Sequence, residues 1–128
     1  LDSLDKAKHD KFRSFPGGWD GAVQGMKNCR EVGLPFQIHT TVMDWNQQEL
    51  EAMTDFAVEI GAKAHHFFFL VPTGRAATIE EESLRAEQYE DVLTRIMKKQ
   101  HGNLKLSQIV NEFFSLNRSK LIFILLSI

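Results

Sequence analysis

The sequence that decides the fold of this chain reads Gly33-Leu34-Pro35-Phe36-Gln37-Ile38-His39-Thr40-Thr41-Val42-Met43. Its strict alternation predicts a β-strand over residues 36–43. One face of this strand is apolar or small, with Phe36, Ile38, Thr40 and Val42. The other face carries the polar row, which we define as Gln37, His39 and Thr41. Buried polar groups need partners, so the row either lines a ligand cavity or faces solvent at an edge strand; a hydrogen-bonded core His39 is a further alternative.

Helices are predicted on both sides of this strand. Apolar residues recur at helical spacing from Trp19 to Cys29 and predict one helix, with Cys29 as a buried structural cysteine. After the strand, Asn46 and Glu49 form a capping-box pattern at the start of a second helix. The buried stripe of that helix is predicted to be Leu50, Met53, Ala57 and Ile60, and Gly61 ends it.

A second strand and a third helix follow. Residues 66–71 form an apolar run that is typical of a strand buried on both faces. An amphipathic helix is predicted over residues 84–99, with an apolar stripe of Tyr89, Val92, Leu93, Ile96 and Met97. This order predicts an α/β fold with a parallel sheet. The sheet is incomplete, with two full strands and the stump of another at Leu1-Asp2, so we expect the chain to be part of a larger fold.

Composition limits the classes of function. The chain has 128 residues, of which 43% are hydrophobic and 25% charged, as in globular proteins. A net charge of −2 gives no reason to expect a nucleic acid or membrane partner. A single cysteine leaves no cysteine cluster to hold a metal, and His65-His66 lacks the spacing of a zinc site. Without a recognisable signal peptide, we expect a cytoplasmic protein.

Ligands of parallel α/β folds bind at the carboxyl ends of the strands. Here these ends fall at residues 2–3, 41–46 and 70–75. Arg75 follows a buried strand, where it can bind a carboxylate in bidentate fashion, and Gly74 allows close backbone approach. The alternative is an exposed turn with a solvated arginine.

Several motifs together resemble one enzyme family. They are Leu1-Asp2-Ser3, Lys8-His9-Asp10-Lys11-Phe12-Arg13, Gly18-Trp19-Asp20, the stretch from Gly33 to Val42 with Asn46, and residues 64–75. These residues resemble the radical S-adenosylmethionine (SAM) superfamily, in its SPASM-type branch, and especially the SAM-dependent haem synthases and their haem d1 relatives. The resemblance implies that residues 1–100 are the C-terminal part of a radical SAM barrel, a partial (β/α) barrel with about strands 4 to 6. Residues 101–128 form an apolar tail that departs from the family.

The resemblance also implies a chemistry. Full-length relatives hold a [4Fe–4S] cluster on a CxxxCxxC loop and cleave SAM to a 5′-deoxyadenosyl radical. That radical initiates oxidative decarboxylation of propionate groups on a porphyrin, with ferredoxin or flavodoxin as electron donor. By position, Asp2 would bind the ribose of SAM, and the other SAM-binding residues would be Gln37, His39, Thr41, Leu70 and Val71. Arg75 would contact a carboxylate of SAM or of the substrate, and no catalytic residue is assigned.

One departure from the family concerns the cluster that the activity needs. The CxxxCxxC motif is absent, so we expect this chain to be a fragment that is inactive as written. The alternative from another class is a small α/β binding or interaction module without catalysis. An ordinary (β/α) barrel enzyme for a phosphorylated substrate ranks last, since no glycine-rich phosphate loop precedes a helix.

Overall fold

A computed structural model describes residues 1–69 and 84–101 of the chain. Its elements are α1 (Lys6–Arg13), α2 (Gly18–Glu31), β1 (Gln37–Val42), α3 (Leu50–Ile60), β2 (Ala64–Phe69) and α4 (Ala86–His101). From α2 onward the order confirms the predicted alternation of helices and strands, whereas α1 was not predicted. The predicted site residues Leu70, Val71 and Arg75 lie outside the described residues.

The two strands form a parallel sheet, as predicted. β1 and β2 pair in register from Gln37 opposite Ala64 to Val42 opposite Phe69. Partners in a parallel register share a face, so the sheet has two chemically distinct faces. The apolar face carries Ile38, Thr40, Val42, His65, Phe67 and Phe69. The polar face carries the polar row together with Ala64, His66 and Phe68.

Helices cover the apolar face of the sheet. Val42, Phe67 and Phe69 pack in one core cluster with residues of α3 and α4. Ile38 packs in a second cluster with Val23 of α2 and with Ala57 and Ile60 of α3. The predicted stripe of α3 is buried, and Val92 and Ile96 of α4 are buried too, so the helical periodicity is confirmed. None of the helices in these described ranges is long and apolar enough to cross a membrane.

A buried histidine joins the sheet to α3. His65 is fully buried, and its Nε2 lies 2.8 Å from Thr40 Oγ1 while its Nδ1 lies 3.3 Å from Thr54 Oγ1. Thr40 Oγ1 donates its hydrogen to the carbonyl of Leu1 at 2.6 Å, so we infer that His65 Nε2 carries the proton of this pair. Burial lowers the pKa of His65 to about 3, so the ring is neutral at physiological pH.

Two expectations about local structure are wrong. Cys29 is only half-buried, because α2 turns a narrow stripe inward and Val23 is its buried residue. Asn46 does not cap α3, which begins at Leu50, and the residue at its cap position, Glu49, makes no side-chain cap hydrogen bond. The side chains of Asn46 and Glu49 instead bind other parts of the chain.

The stump predicted at Leu1-Asp2 lies beside β1 but does not pair with it as a strand. The Leu1 amino group donates to the carbonyl of His39 at 2.7 Å. One residue further, the side chain of Asp2, and not a backbone carbonyl, accepts the backbone N–H of Thr41. The sheet in the described ranges therefore has two strands, with a side-chain contact where a third would continue.

An arginine fastens α4 to the start of α3. Arg95 donates from Nε and Nη2 to the two carboxylate oxygens of Glu51 at 2.6 and 2.7 Å, and from Nη2 to the carbonyl of Gln47 at 2.9 Å. Arg95→Lys is expected to lower the free energy of unfolding by about 1 kcal/mol, because an ammonium group cannot reproduce this forked contact. Urea unfolding followed by circular dichroism measures the change. Arg85→Lys, at an exposed position that contacts the nearby Gln88, is the matched control, and an equal effect of both would contradict the assignment.

Candidate functional site

The polar row lies on the sheet face that α2, α3 and α4 leave uncovered. Gln37 and His39 are exposed, and Thr41 is half-buried. The His39 ring lies 4.9 Å from the His66 ring and 5.1 Å from the Phe68 ring, measured between centroids. Burial, and then the proximity of His39, lowers the pKa of His66. The face thus combines an amide, a hydroxyl and two imidazoles beside an aromatic ring.

A buried carboxylate holds the end of this row. Asp2 is fully buried, and its Oδ1 accepts the backbone N–H of Thr41 at 2.9 Å. The guanidinium of Arg13 donates to both oxygens, from Nε to Oδ2 at 2.7 Å and from Nη2 to Oδ1 at 3.0 Å. Burial alone would raise the pKa of Asp2, but the hydrogen bonds from Arg13 and Thr41 outweigh it and hold the pKa below its usual value. Asp2 is therefore an anion whose two oxygens are both engaged.

Asn46 joins the same two segments through its carboxamide. Its Nδ2 donates to the carbonyls of Asp2 and Thr41, each at 2.8 Å, and its Oδ1 accepts the backbone N–H of Met43 at 2.8 Å. Asn46 is fully buried, so these three backbone groups depend on it in place of water. We call the set Asp2, Arg13, Thr41 and Asn46 the seam.

Glu49 extends the contact to the residues that follow Asp2. Its Oε2 accepts from the hydroxyl of Ser3 at 2.6 Å and from the backbone N–H of Leu4 at 3.2 Å, and its Oε1 accepts from Lys8 at 2.7 Å. Partial burial would raise the pKa of Glu49, but the contacts with Lys8 and Ser3 lower it overall. The loop between β1 and α3 thus grips the N-terminal residues through two side chains.

Helix α1 contacts the seam through a further residue, His9. His9 Nδ1 accepts the backbone N–H of Asp2 at 3.1 Å. This nitrogen lies 3.3 Å from the Asp2 carboxylate, a distance that would suit an ion pair. Burial lowers the pKa of His9 overall, and its Nδ1 must be unprotonated to accept a hydrogen bond, so we assign a neutral ring.

The next residue of α1 starts α2. Asp10 accepts the backbone N–H groups of Gly17 and Trp19 at 2.7 and 2.8 Å. It takes the capping role that Gly17, which has no side chain, cannot fill. Trp19 in turn donates from Nε1 to the carbonyl of Ser3 at 3.1 Å. The motif from Lys8 to Arg13 thus fastens the N-terminal residues in place.

The structure brings some of the predicted site residues together and leaves others outside its description. Gln37, His39 and Thr41 share one face, and Asp2 contacts Thr41 from within the protein. His65 and His66 point to opposite faces of the sheet. Among the residues that the structure describes, no three histidine, cysteine, aspartate or glutamate side chains are grouped so as to hold a metal ion.

The site also contains residues that the sequence did not single out for it. Arg13 and His9 stood in a recognised motif without a role, and Asn46 and Glu49 were interpreted as a local cap. A local signal for Arg13 existed, because His9 and Arg13 are four residues apart and share one side of a helix.

Comparisons with known proteins give relatives for this chain. It is 41% identical over 93 residues to the AdoMet-dependent heme synthase of Nitratidesulfovibrio vulgaris, a match that covers 73% of this chain and 25% of that protein. It is 39% identical over 93 residues to the AdoMet-dependent heme synthase of Methanosarcina barkeri, covering 73% and 26%. It is 29% identical over 99 residues to the Fe-coproporphyrin III synthase of the same organism, covering 77% and 25%.

The chain spans about a quarter of the length of these curated relatives. No family model matches the chain. No solved structure matches it either.

Proposed function

We propose, since this chain is homologous to the AdoMet-dependent heme synthases, that it forms part of a radical SAM barrel and lines the SAM site with its polar face. One observation carries the proposal: the polar row lies on the face opposite α2, α3 and α4. In a (β/α) barrel the helices lie outside and the opposite side chains point to the interior. A polar interior face near the carboxyl end of a strand suits a ligand site.

The polar row offers the groups that SAM needs. The Gln37 amide and the His39 imidazole can each donate and accept hydrogen bonds, and so can the Thr41 hydroxyl. We propose that they bind the ribose hydroxyls and the amino acid group of SAM. Leu70 and Val71, which follow Phe69 in the sequence, are proposed to offer backbone groups to adenine, and Arg75 to bind a carboxylate.

The ligands of a [4Fe–4S] cluster have to be considered separately from the SAM site. Such a cluster is ligated by several cysteine thiolates. The chain has one cysteine, Cys29, which lies on α2, one of the helices on the opposite side of the sheet from the polar row. These 128 residues therefore do not fit the cluster, and we assign no step to it.

The substrate and the reductant belong to the proposal as well. Two relatives are named for heme synthesis and a third for Fe-coproporphyrin III synthesis. We propose that the protein to which this segment corresponds modifies an iron tetrapyrrole, with electrons supplied by ferredoxin or flavodoxin.

A substitution in the polar row tests SAM binding. Gln37→Leu is expected to weaken the affinity of the full chain for SAM about tenfold, since one or two hydrogen bonds to the ligand are lost. Isothermal titration calorimetry gives the dissociation constants, and Gln24→Leu, at an exposed position of α2, is the matched control. The proposal fails if the wild-type chain binds SAM no more tightly than methionine or adenosine, or if both variants bind it equally. Failure of the first kind favours the binding module without SAM chemistry.

A further inference from the structure

We propose that Asp2 and Arg13 are positioning residues, which set the end of β1 for SAM without touching the ligand. The inference rests on the proposed function, because it assigns these residues a task in the SAM site. It also departs from the role that the family resemblance implies for Asp2, which is contact with the ribose of SAM.

The hydrogen bonds of Asp2 leave it little to offer a ligand. Its side chain is fully buried. Oδ1 accepts from Thr41 and Arg13, and Oδ2 accepts from Arg13. A ribose hydroxyl would have to displace one of these donors, two of which come from a charged group. Charge-assisted contacts of this kind are stronger than hydrogen bonds between neutral groups.

The same contacts fix the backbone next to the polar row. The backbone of the N-terminal residues makes no further hydrogen bond to the backbone of β1 after the one between Leu1 and His39. The Asp2 carboxylate instead accepts the Thr41 N–H. Asn46 binds the carbonyl of Thr41. The position of Thr41 is thus set by two side chains at the point where the row reaches the carboxyl end of β1. A small error in placing groups that contact a ligand has a large effect on binding and reaction.

Arg13, which lies on α1, provides the remaining contacts of the Asp2 carboxylate. Its side chain is half-exposed, so the guanidinium lies between the buried Asp2 carboxylate and solvent. Without it, a buried anion would keep the Thr41 N–H and lose the guanidinium that binds both of its oxygens. Loss of one partner of such a pair is costly, because the other charge stays buried. We expect Asp2 then to shift toward solvent and to carry the Thr41 backbone with it.

Chemical rescue provides the test. In the full chain, Arg13→Ala is expected to weaken SAM binding at least tenfold, and millimolar ethylguanidinium should restore most of the affinity by filling the half-exposed space. Tetramethylammonium, a cation without donors, should restore none. Lys6→Ala is the matched control, because Lys6 is also on α1 and forms an exposed ion pair with Asp20. NMR spectra of each variant identify any that fail to fold, and Arg13→Lys then replaces Arg13→Ala.

A second arm separates positioning from contact. Asp2→Asn is expected to weaken binding of SAM and of its 2′,3′-dideoxy analogue by the same factor. If Asp2 binds the ribose, the variant loses affinity for SAM only, and the inference is overturned. Arg13→Ala with the affinity of the wild type would overturn it as well.

The inference can fail separately from the proposed function. A wild-type chain that does not bind SAM contradicts the proposed function. The positioning role is then decided by NMR without ligand, where Asp2→Asn must shift the Thr41 N–H and the His39 ring resonances. Unchanged resonances would overturn it.

Discussion

Asn46→Ala is expected to destabilise the protein by about 3 kcal/mol or more, because it leaves three buried backbone groups without a partner. These groups are the carbonyls of Asp2 and Thr41 and the N–H of Met43. A methyl group in place of the carboxamide cannot bind them, and water has little access to a fully buried side chain. Urea unfolding followed by circular dichroism gives the loss in free energy.

Two further variants make this prediction specific. Asn28→Ala removes the same carboxamide from an exposed position of α2 and should cost less than about 1 kcal/mol. Asn46→Asp keeps the acceptor for Met43 but turns a charged oxygen toward two carbonyls. Relative to the wild type at the same pH, it should destabilise at least as much as alanine at neutral pH and less on acidification, when a protonated oxygen can donate. An aspartate variant as stable as the wild type would show that the carbonyls do not depend on Asn46.

Acidification is expected to destabilise the protein through His65. Its folded pKa of about 3 lies below the ordinary value of 6.5, so the unfolded chain binds the proton more tightly. Stability from the neutral ring is therefore present above pH 6.5 and is lost as the pH falls from 6.5 toward 3. By this linkage, His65 alone should lower the free energy of unfolding by about 2 kcal/mol between about pH 7 and pH 5. The buried His9 and His66, whose pKa values are also lowered, add in the same direction.

Unfolding measured against pH checks this expectation. His65→Gln can still donate to Thr40, and it should flatten the pH dependence by about the 2 kcal/mol assigned to His65. His39→Gln is the matched control, since it removes an exposed imidazole from the opposite face of the sheet, and it should retain most of the slope. NMR of the folded wild type should show His65 ring resonances that stay constant down to about pH 4. A His65 resonance that titrates near neutral pH would contradict the assignment.

The sequence predicts those features that depend on neighbouring residues. Alternation in β1 placed Gln37, His39 and Thr41 on one face, and the structure confirms it because a strand turns successive side chains to opposite sides. Helical spacing likewise identified the buried stripe of α3. It failed at Cys29, since periodicity shows which side of a helix is apolar but not how much of it a neighbour covers.

The seam was beyond prediction for a different reason. Asp2 and Asn46 are far apart in sequence, and their contact depends on tertiary packing. The pattern of Asn46 and Glu49 is that of a helix cap. In the structure both side chains instead bind residues that are distant in sequence. Contact between the polar row and SAM stays a prediction.

The contacts of helix α1 also restrict insertions and deletions within the helix. His9 and Arg13 reach Asp2 from one side of the helix, while Asp10, next to His9, reaches the start of α2. One inserted residue would rotate everything after it by about 100°, since an α-helix has about 3.6 residues per turn. The three contacts could not then form together. The stretch from His9 to Arg13 should therefore accept changes of residue at outward positions such as Lys11, but no insertion or deletion, which makes it a poor place for a tag or a fusion joint.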